Sequence, residues 1–126
     1  MGKATVRPRD MVDMEPTGSS QHEFDVTMVV VASNVEIDLR EFSQMVDEFR
    51  RVFHENSLKV EFIVVDDGVG HGFFEALRVL NREVPNFRVI RFRRVFGESV
   101  ALRMACDRAR GKYIVTNAWY LQVRAE

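Results

Sequence analysis

The amino-acid sequence predicts an α/β domain built on a mostly parallel sheet. Four short runs of β-branched and aromatic residues alternate with three longer segments in which apolar residues recur at helical spacing, and the connections between them are short. This alternation is typical of parallel strands joined by right-handed helical crossovers. We therefore expect a three-layer domain with a sheet of about four strands and helices on both faces.

The four strands are predicted at 26–32, 60–65, 87–92 and 112–116. We expect the strand at 60–65 to be internal, because its apolar run can be buried on both faces of a sheet. The strand at 87–92 is more polar, which favours a position nearer an edge.

Three amphipathic helices are predicted between these strands. The first begins at Asp38 as its N-cap and carries a phenylalanine-rich stripe, which we interpret as core rather than as a groove for a partner. The second follows Gly70-His71-Gly72 and ends before Pro85. The third spans 97–110, has a face of small residues and is expected to be capped by Gly111.

Composition and charge limit the classes of function. A chain of 126 residues with 46% hydrophobic residues is expected to form one domain. The formal net charge of -1 gives no argument for a nucleic-acid partner. Residues 1–23 lack apolar periodicity and are expected to be a flexible tail, which leaves 24–126 as the domain.

The predicted location is the cytoplasm. The single Cys106 has no partner for an internal disulfide and is expected to be a small core residue of the third helix. No apolar run approaches the length of a membrane span, and the N-terminus lacks the apolar core of a signal peptide.

The residues that point most directly to function are Asp66, Asp67 and Gly68, which follow the predicted internal strand. Ligands of open α/β sheets bind outside the carboxyl ends of the strands, so two carboxylates here are expected to face a nucleotide or a phosphorylated ligand. An ordinary solvated turn before a helix explains the same residue types and remains open.

Several segments together resemble a known family. They are Val31-Ala32-Ser33-Asn34-Val35, the run Val-Asp-Asp-Gly-Val-Gly-His-Gly-Phe at 65–73, Val95-Phe96-Gly97, Ala109-Arg110-Gly111 and Leu121-Gln122. In order and spacing they are similar to the N-terminal half of family 2 glycosyltransferases of the GT-A fold, over about 25–126. The final pair further resembles the polyprenyl-phosphate sugar transferase branch of that family.

The resemblance implies a site for a nucleotide or a nucleotide-sugar. In the family the carboxylates after the second strand accept hydrogen bonds from the base, a role that falls here on Asp67 and also on Asp66. The nucleotide-binding residues that the resemblance implies are Ala32, Ser33, Asn34, Asp66, Asp67, Gly68 and Gln122.

The resemblance also implies that a metal site has been lost. The family carries two carboxylates that hold Mg²⁺ or Mn²⁺ against the diphosphate, whereas this chain has Ala118 and Tyr120 at those positions. Asn117 and Gln122 are neutral and replace neither charge, and His71 is expected to be a loop residue rather than a ligand. We therefore expect no metal, no other cofactor and no assignable catalytic residue.

Two functions remain open at this stage. One is a glycosyltransferase-like domain that binds a nucleotide or nucleotide-sugar but is a degenerate, truncated pseudoenzyme, inactive as an isolated chain because the acceptor half is expected to be missing. The alternative is a non-catalytic interaction module that binds a protein partner or forms a homo-oligomer through its last strand edge and Trp119-Tyr120. A receiver-like domain with Mg²⁺ at Asp66-Asp67 is less favoured, because such domains carry the acid pair on their first strand.

Overall fold

The computed structural model describes residues 6–18, 23–33 and 38–119. The strands are β1 (Met11–Met14), β2 (Phe24–Ser33), β3 (Val60–Asp67), β4 (Phe87–Phe92) and β5 (Gly111–Trp119). The helices are α1 (Leu39–Glu55), α2 (His71–Glu83) and α3 (Glu98–Arg108), and a short 3-10 helix, Pro8–Asp10, precedes β1. The predicted α/β class is confirmed.

The five strands form one sheet in the order β1-β4-β3-β2-β5. The strand β2 pairs in parallel with β3 on one side and with β5 on the other, and β3 pairs in parallel with β4. The predicted internal position of the strand at 60–65 is therefore confirmed. Seven of its eight residues are buried, because both faces of the sheet are covered.

The core lies in two layers, one on each face of the sheet. On one face α1 and α2 pack through Phe42, Val46 and Leu77. On the other face α3 packs through Ala101 and Ala105, whose small side chains let the helix approach the strands closely. Within the described ranges, no helix combines the length and the apolar character that a membrane span requires.

The start of α1 and the end of α2 follow the signals in the sequence. The side chain of Asp38 accepts the main-chain N–H groups of Arg40 and Glu41 at 2.9 and 3.2 Å, so it caps α1 as predicted. The helix α2 ends at Glu83, two residues before Pro85, which cannot donate a main-chain hydrogen bond.

The expectation of a flexible N-terminal tail is wrong for residues 8–14. The strand β1 pairs antiparallel with β4, and Arg88 and Arg108 each donate to a carboxylate oxygen of Asp13 at 2.7 Å. Four residues without alternation give no strand signal, so contacts with β4 and α3 hold this strand in place. As a consequence β4 is second from the edge of the sheet, nearer to it than the central β3, as its polar residues predicted.

Two further expectations for α3 are wrong. The helix ends at Arg108 with Ala109 as its C-cap, and Gly111 is instead the first residue of β5. A side chain at position 111 would begin 2.6 Å from Oγ1 of Thr27, so glycine is required there for close strand packing and not as a cap. Cys106 is exposed, because the buried face of α3 is formed by Ala101 and Ala105.

Candidate functional site

The carboxyl ends of the parallel strands bring several of the predicted site residues together. Ala32 of β2 lies opposite Asp66 of β3, and Ser33 lies opposite Asp67. On the other side of β3, Asp66 lies opposite Arg91 of β4. The predicted residues of β2 and β3 therefore lie together at the carboxyl ends of these strands, where ligands of open α/β sheets bind.

Asp66 is a fully buried carboxylate that accepts a hydrogen bond on one of its two oxygens. Its Oδ1 accepts the main-chain N–H of Val69 at 2.9 Å. Its Oδ2 is buried and makes no hydrogen bond to any residue that the structure describes. Burial raises the pKa of Asp66 above its ordinary value, while the Val69 N–H and the positive charge of Arg91 oppose the rise and the charge of Asp67 adds to it.

Arg91 is the cation beside this carboxylate. Its Nε lies 4.0 Å from Oδ2 of Asp66, and its guanidinium carbon lies 4.4 Å from the centre of the Phe74 ring on α2. Stacking on an aromatic face is a common use of a guanidinium group, and here it holds the charge next to the carboxylate. The sequence did not single out Arg91, because its place beside Asp66 depends on the parallel register of β3 and β4.

Asp67 points to the opposite face of the sheet, as successive residues of a strand do. It is fully buried, its Oδ1 accepts the N–H of Phe96 at 2.8 Å, and its Oδ2 accepts the N–H of Gly97 at 2.9 Å. Gly97 is the N-cap of α3 and has a φ of 99°. Asp67 therefore fixes the segment that leads into α3.

Gly68 makes the turn after β3 sterically possible. Its φ is 77°, in the left-handed region that favours glycine, and an added Cβ would lie 2.6 Å from Cγ2 of Val95. The three consecutive residues thus have three different roles. Asp66 has one oxygen without a hydrogen-bond donor, Asp67 anchors the segment before α3, and Gly68 makes the tight turn.

The remaining predicted positions add little to this geometry. Asn34, Tyr120 and Gln122 lie outside the described residues. Ala118 belongs to β5 opposite Val31, and His71 begins α2 rather than lying in a loop. Across residues 6–18, 23–33 and 38–119, no group of three or more histidine, cysteine, aspartate or glutamate residues is arranged to hold a metal ion.

Comparison with known proteins identifies the family. A family model described as glycosyl transferase family 2 matches residues 29–117, which is more than half of the chain. The chain belongs to family 2 of the glycosyltransferases. The match runs from β2 to β5 and includes Asp66 and Asp67 at the carboxyl end of β3. No curated protein matches the chain at a significant level.

The segment Ala109-Arg110-Gly111 of this family 2 glycosyltransferase domain lies at the other end of the strands. The N–H of Arg110 and the hydroxyl of Thr27 both donate to Oε2 of Glu61 at 2.6 Å, and the N–H of Gly111 donates to the Thr27 hydroxyl at 2.8 Å. Glu61 is buried, so these bonds satisfy a charge inside the protein. The segment joins β2, β3 and β5 and has a structural role.

Proposed function

We propose that this glycosyltransferase family 2 domain binds a nucleotide or a nucleotide-sugar at the carboxyl ends of its parallel strands. The observation that carries the proposal is the buried Oδ2 of Asp66, which has no hydrogen-bond donor among the described residues. A buried acceptor without a donor is costly, and such groups are rare in folded proteins. An N–H group of a ligand would satisfy it.

The chemistry of this oxygen favours a base with a ring N–H. Uracil and guanine both offer such a donor to a carboxylate, and hydrogen bonds to charged acceptors are stronger than those between neutral groups. This assigns the base contact to Asp66 rather than to Asp67, whose two oxygens accept main-chain N–H groups. Because Asp66 is fully buried, ligand binding requires a local rearrangement that exposes this oxygen.

The proposed site includes further residues near the carboxyl ends of β2 and β3. The main chain of Ala32 and Ser33 lies beside Asp66 and Asp67 in the sheet. We assign Asn34 and Gln122 to the same nucleotide site from the resemblance alone, as amide groups that can donate and accept. Gly68 allows the tight turn that follows the two carboxylates, where an added Cβ would meet Val95.

The proposed domain is degenerate in metal-assisted catalysis. Ala118 and Tyr120 offer no carboxylate where the resemblance implies a pair, and hard cations such as Mg²⁺ and Mn²⁺ require oxygen ligands. Binding is therefore expected without a metal, and turnover of a nucleotide-sugar by this chain is not expected.

Isothermal titration calorimetry with UDP, GDP and their sugar conjugates tests the proposal. Asp66→Asn keeps an oxygen for the Val69 N–H but replaces the unused acceptor with a donor. We expect it to lose about tenfold to 150-fold in affinity, the equivalent of about 1.5–3 kcal/mol for a hydrogen bond to a charged group. Asp107→Asn, an exposed change on α3, is the matched control and should bind like the wild type. Equal affinity in Asp66→Asn and wild type would refute the assignment of Asp66.

A second candidate is a non-catalytic interaction module that retains the fold. The observation that favours it is the exposed apolar surface of β5, formed by Tyr113, Ile114 and Val115. Exposed apolar patches commonly mark protein interaction sites. The absence of nucleotide binding at millimolar ligand, together with a stable protein complex, would select this candidate.

A further inference from the structure

Arg91 is a cation that the sheet places beside a carboxylate without a hydrogen bond between the two. The register sets Arg91 of β4 opposite Asp66 of β3, and both side chains lie on the face that α1 and α2 cover. The Nε of Arg91 lies 4.0 Å from Oδ2 of Asp66, beyond hydrogen-bond distance, while its guanidinium stacks on the Phe74 ring. Arg91 therefore acts on Asp66 through its charge and leaves Oδ2 without a donor among the described residues.

The charges around Asp66 oppose one another. Burial raises the pKa of Asp66, and the negative charge of Asp67, the next residue of the strand, adds to the rise. The Val69 N–H and the positive charge of Arg91 act in the other direction. Without Arg91, burial and Asp67 would be opposed by the hydrogen bond from Val69 alone among the described groups that act on this carboxyl.

The other elements on this face place apolar groups near Asp66. The neighbouring strand β2 sets Ala32 beside it. The two helices contribute the rings Phe42, Phe73 and Phe74 to the core of this face. The charged side chains of Glu75 and Arg78 on α2 are about half exposed and pair with each other at 3.2 Å. The charge of Asp66 therefore depends strongly on Arg91.

The charge of Asp66 decides which groups its second oxygen can recognise. An ionised carboxyl accepts hydrogen bonds only, whereas a protonated carboxyl carries an O–H donor. The ring N–H of uracil or guanine therefore needs the ionised form. The corresponding ring nitrogen of cytosine or adenine carries no hydrogen and is an acceptor, so it needs the protonated form.

We propose that Arg91 is a positioning residue of the nucleotide site, which keeps Asp66 charged and so selects uridine and guanosine nucleotides over cytidine and adenosine nucleotides. The inference rests on the proposed function, since it names the class of base that the same site takes. Arg91 acts through Asp66 and need not contact the base. A lysine at position 91 would keep the charge, whereas a glutamine would remove it.

UDP-glucose and CDP-glucose are matched probes, because they carry the same diphosphate and sugar and differ in the base. Isothermal titration calorimetry at a series of pH values measures both affinities. The wild type should bind UDP-glucose more tightly as the pH rises, because the UDP-glucose complex needs the ionised Asp66. The affinity for CDP-glucose should change with pH in the opposite direction.

Arg91→Gln separates a role in charge from a role in structure. At the midpoint of the wild-type pH profile, we expect its affinity for UDP-glucose to fall at least about fivefold and its affinity for CDP-glucose to rise. Arg91→Lys should behave like the wild type. The matched control is Arg51→Gln, which removes an exposed arginine of α1 that pairs with Glu55. Equal losses for both conjugates in Arg91→Gln, without recovery in Arg91→Lys, would overturn the inference.

NMR of the side-chain carboxyl carbons follows the charge of Asp66 without any ligand. Its signal is the one that Asp66→Asn removes. Arg91→Gln should move the titration of this signal to higher pH, and Arg51→Gln should leave it in place. Histidine titrates near neutral pH and His71 begins α2, so His71→Asn is a second control.

The two measurements separate this inference from the proposed function. If Asp66→Asn weakens UDP-glucose binding but Arg91→Gln leaves the carboxyl titration unmoved, the role of Arg91 is wrong and the nucleotide site stands. A wild type that binds neither conjugate would refute the nucleotide site and the base selection with it. A pH profile that changes in His71→Asn and not in Arg91→Gln would assign the dependence to the histidine and overturn the inference.

Discussion

The carboxylate of Asp67 accepts the main-chain N–H of Gly97 at 2.9 Å, across 30 positions of sequence. Its second oxygen accepts the neighbouring N–H of Phe96, so one buried side chain at the tip of β3 holds both donors that precede α3. Phe96 and Gly97 precede the first residue of α3, so the helix itself offers no acceptor for either N–H.

The first prediction is that Asp67→Ala destabilises the fold. It removes the acceptor of two partly buried N–H groups, and we expect the free energy of unfolding to fall by about 1.5–3 kcal/mol. Urea denaturation followed by circular dichroism measures the change. Asp107→Ala, at an exposed position of α3, should change stability by less than about 0.5 kcal/mol. A loss in Asp67→Ala as small as that of the control would contradict the anchoring role.

The second prediction compares two glycines. In Gly111→Ala the new Cβ would start 2.6 Å from Oγ1 of Thr27 and from the main-chain carbon of Val26, so we expect a loss of about 1–3 kcal/mol from overpacking. In Gly72→Ala nothing lies within 4 Å of the new Cβ, and a better helix former should raise stability by up to about 1 kcal/mol. Thermal unfolding of both variants shows the contrast. Equal effects at the two positions would remove the packing explanation for Gly111.

The third prediction concerns pH and Asp66. Burial raises the pKa of this carboxyl in the folded protein above its ordinary value of 3.8, so the folded state holds the proton more tightly than the unfolded chain does. The stability that Asp66 contributes is therefore present in full below that value and is lost as the pH rises through the folded pKa. Asparagine carries no charge at any pH. Relative to wild type, Asp66→Asn should thus gain stability as the pH rises above 3.8 and through the raised pKa of the folded protein.

Urea denaturation of wild type and Asp66→Asn at several pH values measures this difference. Asp107→Asn is the control for the removal of one carboxylate. A difference between wild type and Asp66→Asn that does not grow with pH would show that burial does not disfavour the charge of Asp66.

The fourth prediction concerns metal. Nucleotide binding by the wild type should change by less than about twofold when Mn²⁺ or EDTA is added, because the carboxylate pair is replaced by Ala118 and Tyr120. The double change Ala118→Asp and Tyr120→Asp should make binding metal-dependent, since two carboxylates and a diphosphate supply hard oxygen ligands. The double asparagine variant is the matched neutral control. Strong metal dependence in the wild type would refute the loss of the site.

The sequence alone determined four of the five strands, the three helices and their order along the chain. The continuous apolar run of β3 requires burial on both faces, which indicated an internal strand, and the Asp38 side chain at the start of an amphipathic segment indicated the beginning of α1. It also indicated that Asp66 and Asp67 end a strand at the edge where ligands bind. These are local signals, because a strand, a cap and a turn each depend on residues close in the chain.

Only the tertiary structure decided what each carboxylate does. Asp66 and Asp67 are adjacent in sequence, yet one meets Arg91 and keeps an oxygen without a donor, and the other meets Gly97. Those partners are 25 to 30 positions away and are set by the register of β4 and the path of the chain into α3. The strand β1 is decided in the same way, since four residues form a strand here only because β4 pairs with them and two arginines bind Asp13.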